Sequence, residues 1–231
     1  MPFLSAIWRR LGEGLHPARC VGCGMSGTFL CDRCAAEAKP SEPRCPSCAE
    51  LGWPGVCARC AVRRPAFDSA TVACRYMGAA RDAVHALKYR HVRAIAPTLA
   101  GHMAVAVRQR RVSADAIVPM PVHAKRLRDR GYNQAALLAD ALGALLGLPV
   151  LAGALVRVQS GRSQVKAPGH AARWANVAYD FEPGADGTAG MRLLLVDDVL
   201  TTGSTMSAAA WALKRGGAVE VAAVAFAREE R

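Results

Sequence analysis

Eight cysteines fall into four C-x-x-C pairs, Cys20/Cys23, Cys31/Cys34, Cys45/Cys48 and Cys57/Cys60, all within 41 residues. A two-residue spacer lets both thiolates turn onto one ion, and two such pairs complete a tetrahedral zinc site. Seven residues separate Cys23 from Cys31 and eight separate Cys48 from Cys57. Short loops close at lower entropic cost, so sequential pairing is expected: Cys20, Cys23, Cys31 and Cys34 on one ion, Cys45, Cys48, Cys57 and Cys60 on another. The stretch has few large apolar residues and contains Gly22, Gly24, Gly27, Pro46, Gly52, Pro54 and Gly55. It cannot build much of a core, so bound metal would supply its folding free energy. Disulfides are the alternative, but they are not kept in a cytosolic chain. A redox C-x-x-C would occur once, near a βαβ unit, rather than four times. Cys74, in TVACRYM, reads as a buried strand thiol.

The second chemically suggestive stretch is LLLVDDVLTTGSTM. An apolar run, Leu193 to Val196, ends in adjacent acids, Asp197 and Asp198, followed by Val199. Thr201, Thr202, Gly203, Ser204 and Thr205 then lead into a helical pattern. In open α/β sheets, ligands bind at the carboxyl ends of strands. A loop entering a helix there aims backbone N–H groups outward, and hydroxyls and the helix dipole add to its affinity for phosphate. Gly203 lets the backbone come close. Two carboxylates beside a phosphate site suit the vicinal hydroxyls of a sugar and could help hold hydrated magnesium. A pentose phosphate across the strand end fits this pattern; a strand, an acidic turn and an ordinary capped helix is the plainer alternative.

These residues need elements to carry them. Hydrophobic residues make up 52% and charged residues 21%, enough apolar material for a core and too much for a disordered chain. No apolar run reaches the ~18 residues of a membrane span, and the first residues do not read as a secretory signal. Residues 1–17 read as an amphipathic helix with Leu4, Ile7, Trp8, Leu11 and Leu15 on one stripe. A cysteine module is expected at about 18–62, and alternating strand and helix patterns at 65–231. Strands are expected at TVACRYM, AIVPMPV, ALVRV, AYDF, MRLLLVDDV and VEVAAVAFA, and helices at 80–89, 94–110, 133–146 and 204–215. Residues 159–172 read as a polar loop. Alternation with fully apolar strands predicts an α/β fold with a parallel sheet covered on both faces. The net charge of +12 is uneven: residues 65–131 carry 12 basic and 4 acidic side chains, and residues 132–231 carry 9 of each. Such a basic middle attracts nucleic acid or a phosphate-dense small ligand, unless it is a dispersed solubilising surface.

Leu193 to Thr205 resembles the 5-phosphoribosyl-1-pyrophosphate (PRPP) motif of type I phosphoribosyltransferases. The segment PMPVHAKRLRDRGYNQAALLADAL further resembles the ComF family, through Pro121, His123, Arg126, Arg130, Gly131, Asn133, Gln134 and Ala135. ALKY, Ala86 to Tyr89, is similar to that family's LKY element. RSQVKAPGHAARWANVAYDF resembles its flexible loop through Arg162, Gln164, Arg173 and Asn176; Lys166 departs from an expected apolar residue or glycine. The family also begins with a double zinc ribbon, so the resemblance runs from about residue 18 to the end.

The resemblance implies a type I phosphoribosyltransferase fold behind two structural zinc sites. It also implies PRPP, bound with magnesium, as ligand. Asp197 and Asp198 would hold the ribose and steady the cationic ring. Val199, Thr201, Thr202, Gly203, Ser204 and Thr205 would hold its phosphate. Pyrophosphate would meet the loop carrying His123, Lys125, Arg126, Arg128 and Arg130, with Lys88 as a further contact. Lys88 reads equally as a solvated charge, and His123 equally as a structural loop histidine. Arg162, Gln164 and Arg173 would act on loop closure. Two functions follow: a cytoplasmic PRPP-dependent transferase linked to DNA uptake, or a PRPP sensor or scaffold engaging single-stranded DNA or competence and recombination proteins. Aromatic content of 6%, with only Phe29 and Trp53 in the cysteine module, offers few stacking platforms for DNA.

Overall fold

The computed structural model describes residues 18–39, 42–158 and 180–230. The expected helix at 1–17, the polar loop at 159–172, and Arg162, Gln164, Lys166, Arg173 and Asn176 lie outside the described residues.

Residues with strand-forming apolar runs build a four-stranded, all-parallel sheet. Its strands are β1 (Ser69–Arg75), β2 (Ala116–Pro119), β5 (Arg192–Leu200) and β6 (Glu220–Arg228), in the order β1-β6-β5-β2. The register places Ala70 beside Ala223, Leu195 beside Ala223 on the other side, and Val118 beside Leu195. Strand period then divides the side chains. Leu194 and Val196 join Ala222, Val224 and Phe226 under α3 (Gly78–Tyr89), α4 (Ala96–Gln109) and α6 (Gln134–Leu146). Leu193 and Leu195 join Val221, Ala223 and Ala225 under α7 (Ser204–Arg215). Both faces are covered, which is why β5 and β6 are apolar on consecutive residues. Each fully buried leucine, such as Leu87, Leu138 or Leu194, contributes on the order of 2–3 kcal/mol.

Three features differ from the sequence-based expectation. ALVRV does not join the sheet, and of AYDF only Asp180 and Phe181 lie within the described residues. β3 (Leu155–Arg157) and β4 (Phe181–Pro183) form a separate antiparallel pair beside α7. The sheet is instead extended beyond β2 by a single bridge, where Ile117 donates to Pro149 O at 2.9 Å and accepts from Leu151 N–H at 2.8 Å. Finally, residues 124–130, favoured as a loop over a solvated, charged helix start, form helix α5 (Ala124–Arg130) with no buried residue.

The cysteine module is two copies of one unit. Arg19 bridges Ser26 as Arg44 bridges Leu51. Cys20 N–H donates to Met25 O, and Cys45 N–H to Glu50 O, each at 2.8 Å. Cys31 N–H donates to Cys20 Sγ at 3.4 Å, and Cys57 N–H to Cys45 Sγ at 3.3 Å. Cys31 and Cys57 then start short helices, α1 (Asp32–Glu37) and α2 (Ala58–Val62). The copies dock differently. The first sits in the main core against α3, so closely that a Cβ on Gly22 would lie 2.6 Å from Ala79 Cβ. The second is tied to the sheet: Arg44 Nη1 donates to Val72 O and Arg228 Nη1 to Cys48 O, each at 2.7 Å.

Candidate functional site

The carboxyl ends of all four strands face one cavity of about 440 Å³. Tyr76 enters from just beyond β1, Glu229 from beyond β6, Asp197 to Thr201 from β5 and its end, and Met120 to Val122 from beyond β2. The apolar half of β5 anchors this end in the core, so the adjacent acids are delivered on a rigid element. Asp198 is almost fully buried, and its Oδ2 lies 2.7 Å from Lys88 Nζ at the end of α3. Asp198 N–H donates to Asp197 Oδ1 at 2.8 Å. Burial, then the charge of Asp198, pushes the Asp197 carboxyl well above the usual carboxylate range, against the pull of Lys88. For Lys88, burial acts downward, but the charge of Asp198 and the hydrogen bond to it outweigh that, and the net direction is up.

Beyond β5 the chain turns sharply. Gly203 precedes α7 in the left-handed region, at φ 77°, where a side chain would be strained and its Cβ would press 3.4 Å from the Phe67 ring. Val199, Thr201, Gly203 and Thr205 line the cavity. Thr202 faces the other way, onto a small void of about 70 Å³ that it shares with Cys48, Arg59 and Phe67. Its Oγ1 lies 2.7 Å from Ser204 Oγ and accepts from Ser204 N–H at 3.2 Å.

Arg126 of α5 lines the same cavity, together with Lys88 and Gln134. His123 and Arg130 are not among the cavity's lining residues. His123 Nδ1 accepts from Lys125 N–H at 3.1 Å and caps α5. Arg130 Nη1 donates to Gln134 Oε1, and its guanidinium stands 5.7 Å from the Tyr89 ring centroid. Much of the GYNQ sequence is architectural. Gly131 closes α5, the Tyr132 hydroxyl donates to Leu87 O, and Asn133 ties the start of α6 to the segment beyond β2. Its Oδ1 accepts from Ala135 N–H at 2.9 Å while its Nδ2 donates to Met120 O at 3.0 Å.

Tyr76, Arg157 and Glu229 also line the cavity and escape a reading of the sequence. Arg157 arrives on β3, held 3.6 Å from Asp180 and 5.3 Å from the Phe181 ring centroid. Its only local signal is a basic residue closing an apolar run.

In the cysteine module, the four sulfurs of Cys20, Cys23, Cys31 and Cys34 lie within 4.8 Å of one another, as do those of Cys45, Cys48, Cys57 and Cys60. Cys20–Cys31 and Cys23–Cys31 are 3.7 Å apart and Cys48–Cys57 3.6 Å. A tetrahedron with metal–sulfur bonds of about 2.3 Å has sulfur–sulfur edges of about 3.8 Å, whereas a disulfide is about 2.05 Å. Both quartets therefore have the shape of a metal site. Burial raises Cys20, but the N–H groups of Cys31, Cys23 and Gly22 outweigh it and bring that thiol down to about 6. Cys74 is buried in β1, and burial pushes it up to about 11. Among the described residues, no helix is long and apolar enough to cross a membrane.

A parallel α/β sheet with an acid pair and a threonine-rich turn at its carboxyl edge defines a phosphoribosyltransferase-type domain. The family model described as "Phosphoribosyl transferase domain" matches residues 129–231. "Competence protein F" of Haemophilus influenzae is 29% identical over 223 residues, covering 91% of this chain and 96% of that protein. "DNA utilization protein YhgH" of Salmonella typhi is 30% identical over 216 residues, covering 89% of this chain and 94% of that protein. "Competence protein ComFC" of Bacillus subtilis is 31% identical over 113 residues, 48% of this chain and 44% of that protein. The chain belongs to the ComF family, the family of competence protein F.

Proposed function

We propose that the chain is a PRPP-binding phosphoribosyltransferase of the cytoplasm with a role in DNA uptake. The observation that carries this is the composition of the strand-end cavity. Two adjacent carboxylates, one of them paired with Lys88, share this space with Thr201, Gly203 and Thr205 of the turn and with Arg126. Asp197 and Asp198 would accept hydrogen bonds from the ribose 2- and 3-hydroxyls. The turn's N–H and hydroxyl groups would take the 5-phosphate, and Arg126 would face the pyrophosphate. In transfer, the bond from the anomeric carbon to pyrophosphate oxygen breaks, and a bond to an acceptor nitrogen forms as that nitrogen loses a proton. The carboxylates would steady positive charge on the ring. His123 and Arg130 would serve Arg126 by fixing α5 and its junction with α6.

Magnesium fits this donor set, since carboxylates and hydroxyls are the oxygen ligands a hard cation takes. Bound with the diphosphate, it would offset the charge of the leaving group. Zinc fits the two quartets by sulfur spacing, and metal analysis should find two per chain; one or none would defeat the paired-site assignment.

The test is to incubate the protein with PRPP, magnesium and a panel of nitrogenous bases and to follow pyrophosphate release. Turnover lost in Asp197→Ala and Asp198→Ala supports the transferase. Binding without turnover, abolished by the same changes, replaces it with a sensor or scaffold. That second reading is favoured by α5, where Lys125, Arg126 and Arg128 are exposed on a helix with no buried residue, and by the relatives' DNA-utilization name. Its DNA-engaging form requires single-stranded DNA binding that weakens steeply with salt; no such binding near physiological ionic strength removes that form and leaves competence or recombination proteins as the partner.

A further inference from the structure

The two copies of the cysteine unit carry an arginine at the same place, Arg33 before Cys34 and Arg59 before Cys60. Each lies near the second cysteine of its quartet, Arg33 near Cys23 and Arg59 near Cys48, and the sulfur's charge favours the charged guanidinium. Arg59 does something its counterpart does not. Its Nη1 also donates to Thr202 O at 3.2 Å, across 143 residues of sequence, and its Nη2 lies 3.6 Å from Glu50 Oε2. Glu50 in turn accepts from Arg228 Nη2, and Arg228 immediately precedes Glu229 on the cavity wall. The arginine fork thus spans a cysteine quartet and the turn beyond β5.

The consequence for the turn follows from the planarity of the peptide bond. In a trans peptide the carbonyl and the next N–H point in opposite directions. Fixing the Thr202 carbonyl toward the cysteine module turns the Gly203 N–H away from it, toward the side on which Gly203 lines the cavity. Thr202 lies on the module's side, in the small void shared with Arg59, Cys48 and Cys60, while Thr201, Gly203 and Thr205 lie on the cavity side. Two further contacts hold the same turn from behind. The Phe67 ring packs behind Gly203, and Ala66 N–H donates to Ser207 Oγ at 2.8 Å in the first turn of α7.

We propose that Arg59 is a positioning residue for the anion-binding turn, orienting its backbone donors from the second cysteine unit, so that this unit is part of the ligand site's architecture. The functional half rests on the ribose-phosphate reading above; the structural half does not.

The experiment compares Arg59→Ala, Arg59→Lys and Arg33→Ala in the full, zinc-loaded chain. Arg59→Lys keeps the charge beside the sulfurs but has no fork to reach Thr202 at the same time, and it is decisive if Arg59→Ala sheds zinc. Amide hydrogen exchange of Gly203 to Thr205 is measured without ligand, and ribose 5-phosphate is titrated by calorimetry. In both Arg59 variants, exchange should speed by about tenfold or more and ribose 5-phosphate should bind about tenfold more weakly, the order expected for losing one charge-assisted hydrogen bond. Arg33→Ala should leave both readings at wild type, with two zinc retained. Wild-type exchange in the Arg59 variants overturns the proposal. So does an equal effect from Arg33→Ala, which would mark a general loosening of the module. If exchange responds as expected but the wild-type chain binds no ribose 5-phosphate, the ribose-phosphate reading and the functional half fail together, while the structural half stands.

Discussion

The Lys88–Asp198 pair allows a quantitative test of how the acid end of β5 is held. At 2.7 Å, two unit charges attract by about 6 kcal/mol at an effective dielectric constant of about 20. Removing each ion from water costs several kcal/mol, so the intact pair should contribute little net stability. Breaking it is different, because Asp198 would remain buried with no cation and with Asp197 beside it. Lys88→Met keeps most of the side-chain volume and should cost about 3–5 kcal/mol. For a chain of 231 residues, with about 0.5 kcal/mol/K of unfolding entropy, that is a Tm drop of about 6–10 °C. Adding Asp198→Asn removes the stranded charge, so the double variant should return to within about 1 kcal/mol of wild type. Thermal unfolding followed by circular dichroism at pH 7.5 and fixed zinc would measure wild type and both variants. A single variant that loses less than about 1 kcal/mol, or a double variant as unstable as the single, would refute the buried-pair account.

Other outcomes follow from the same geometry. The Asp197 carboxyl is raised in the folded chain, so folding favours its proton, and stability falls as pH climbs from the unfolded carboxylate value of about 4 through the raised one. Asp197→Asn, whose Oδ1 can still accept from Asp198 N–H, should remove that decline and melt higher than wild type at pH 8 while losing ribose-phosphate binding. A Tm gap that does not change with pH would contradict this. Arg126→Ala should weaken PRPP binding about tenfold in calorimetry and leave ribose 5-phosphate binding unchanged, since only the former reaches the α5 side. Gly24→Ala forces a side chain into φ 75° with nothing around it to pack on and should cost about 1 kcal/mol in thermal unfolding at fixed zinc. The reverse change at the equivalent site, Ala49→Gly, relieves φ 59° but exposes a fully buried methyl's place, so it should be close to neutral.

The parts of the molecule that were readable in the sequence are those governed by short-range rules. Metal-ligand spacing is local, and each quartet gathers sequentially as the loop lengths dictate. β5 announced itself because a strand covered on both faces must be apolar at consecutive positions. α5 was read as a loop for the converse reason: a helix that buries nothing carries no apolar period, and its helix-forming Ala, Lys, Arg and Leu residues are masked by charge. The strand expected at ALVRV contains β3, while the one expected at AYDF shares only Phe181 with β4, and the pairing of β3 with β4 depends on a fold in the chain that no local pattern encodes. The same limit hid Arg157 and Arg59, which reach the strand-end region from elements distant in sequence. His123 had two readings open, and its exposed ring caps α5. The duplication of the cysteine unit was legible as spacing but not as structure, because the shared bridges and turns are made by the backbone.

The sheet order has a consequence for the time course of synthesis. β6 lies between β1 and β5, yet it is the last of the four strands to be made, and Ala70 must wait for Ala223. Until then β1, with five consecutive buried-type residues, has no neighbouring strand, and closure spans most of the chain, which slows folding and leaves an adhesive edge open. The cysteine quartets close over short stretches and can capture their ions long before. The nascent chain therefore passes through a stage with its thiols already sequestered and its sheet unfinished. Shortage of metal at that stage would leave eight reactive sulfurs beside an unpaired strand, and the expected failure is cross-linked aggregate rather than an inactive monomer.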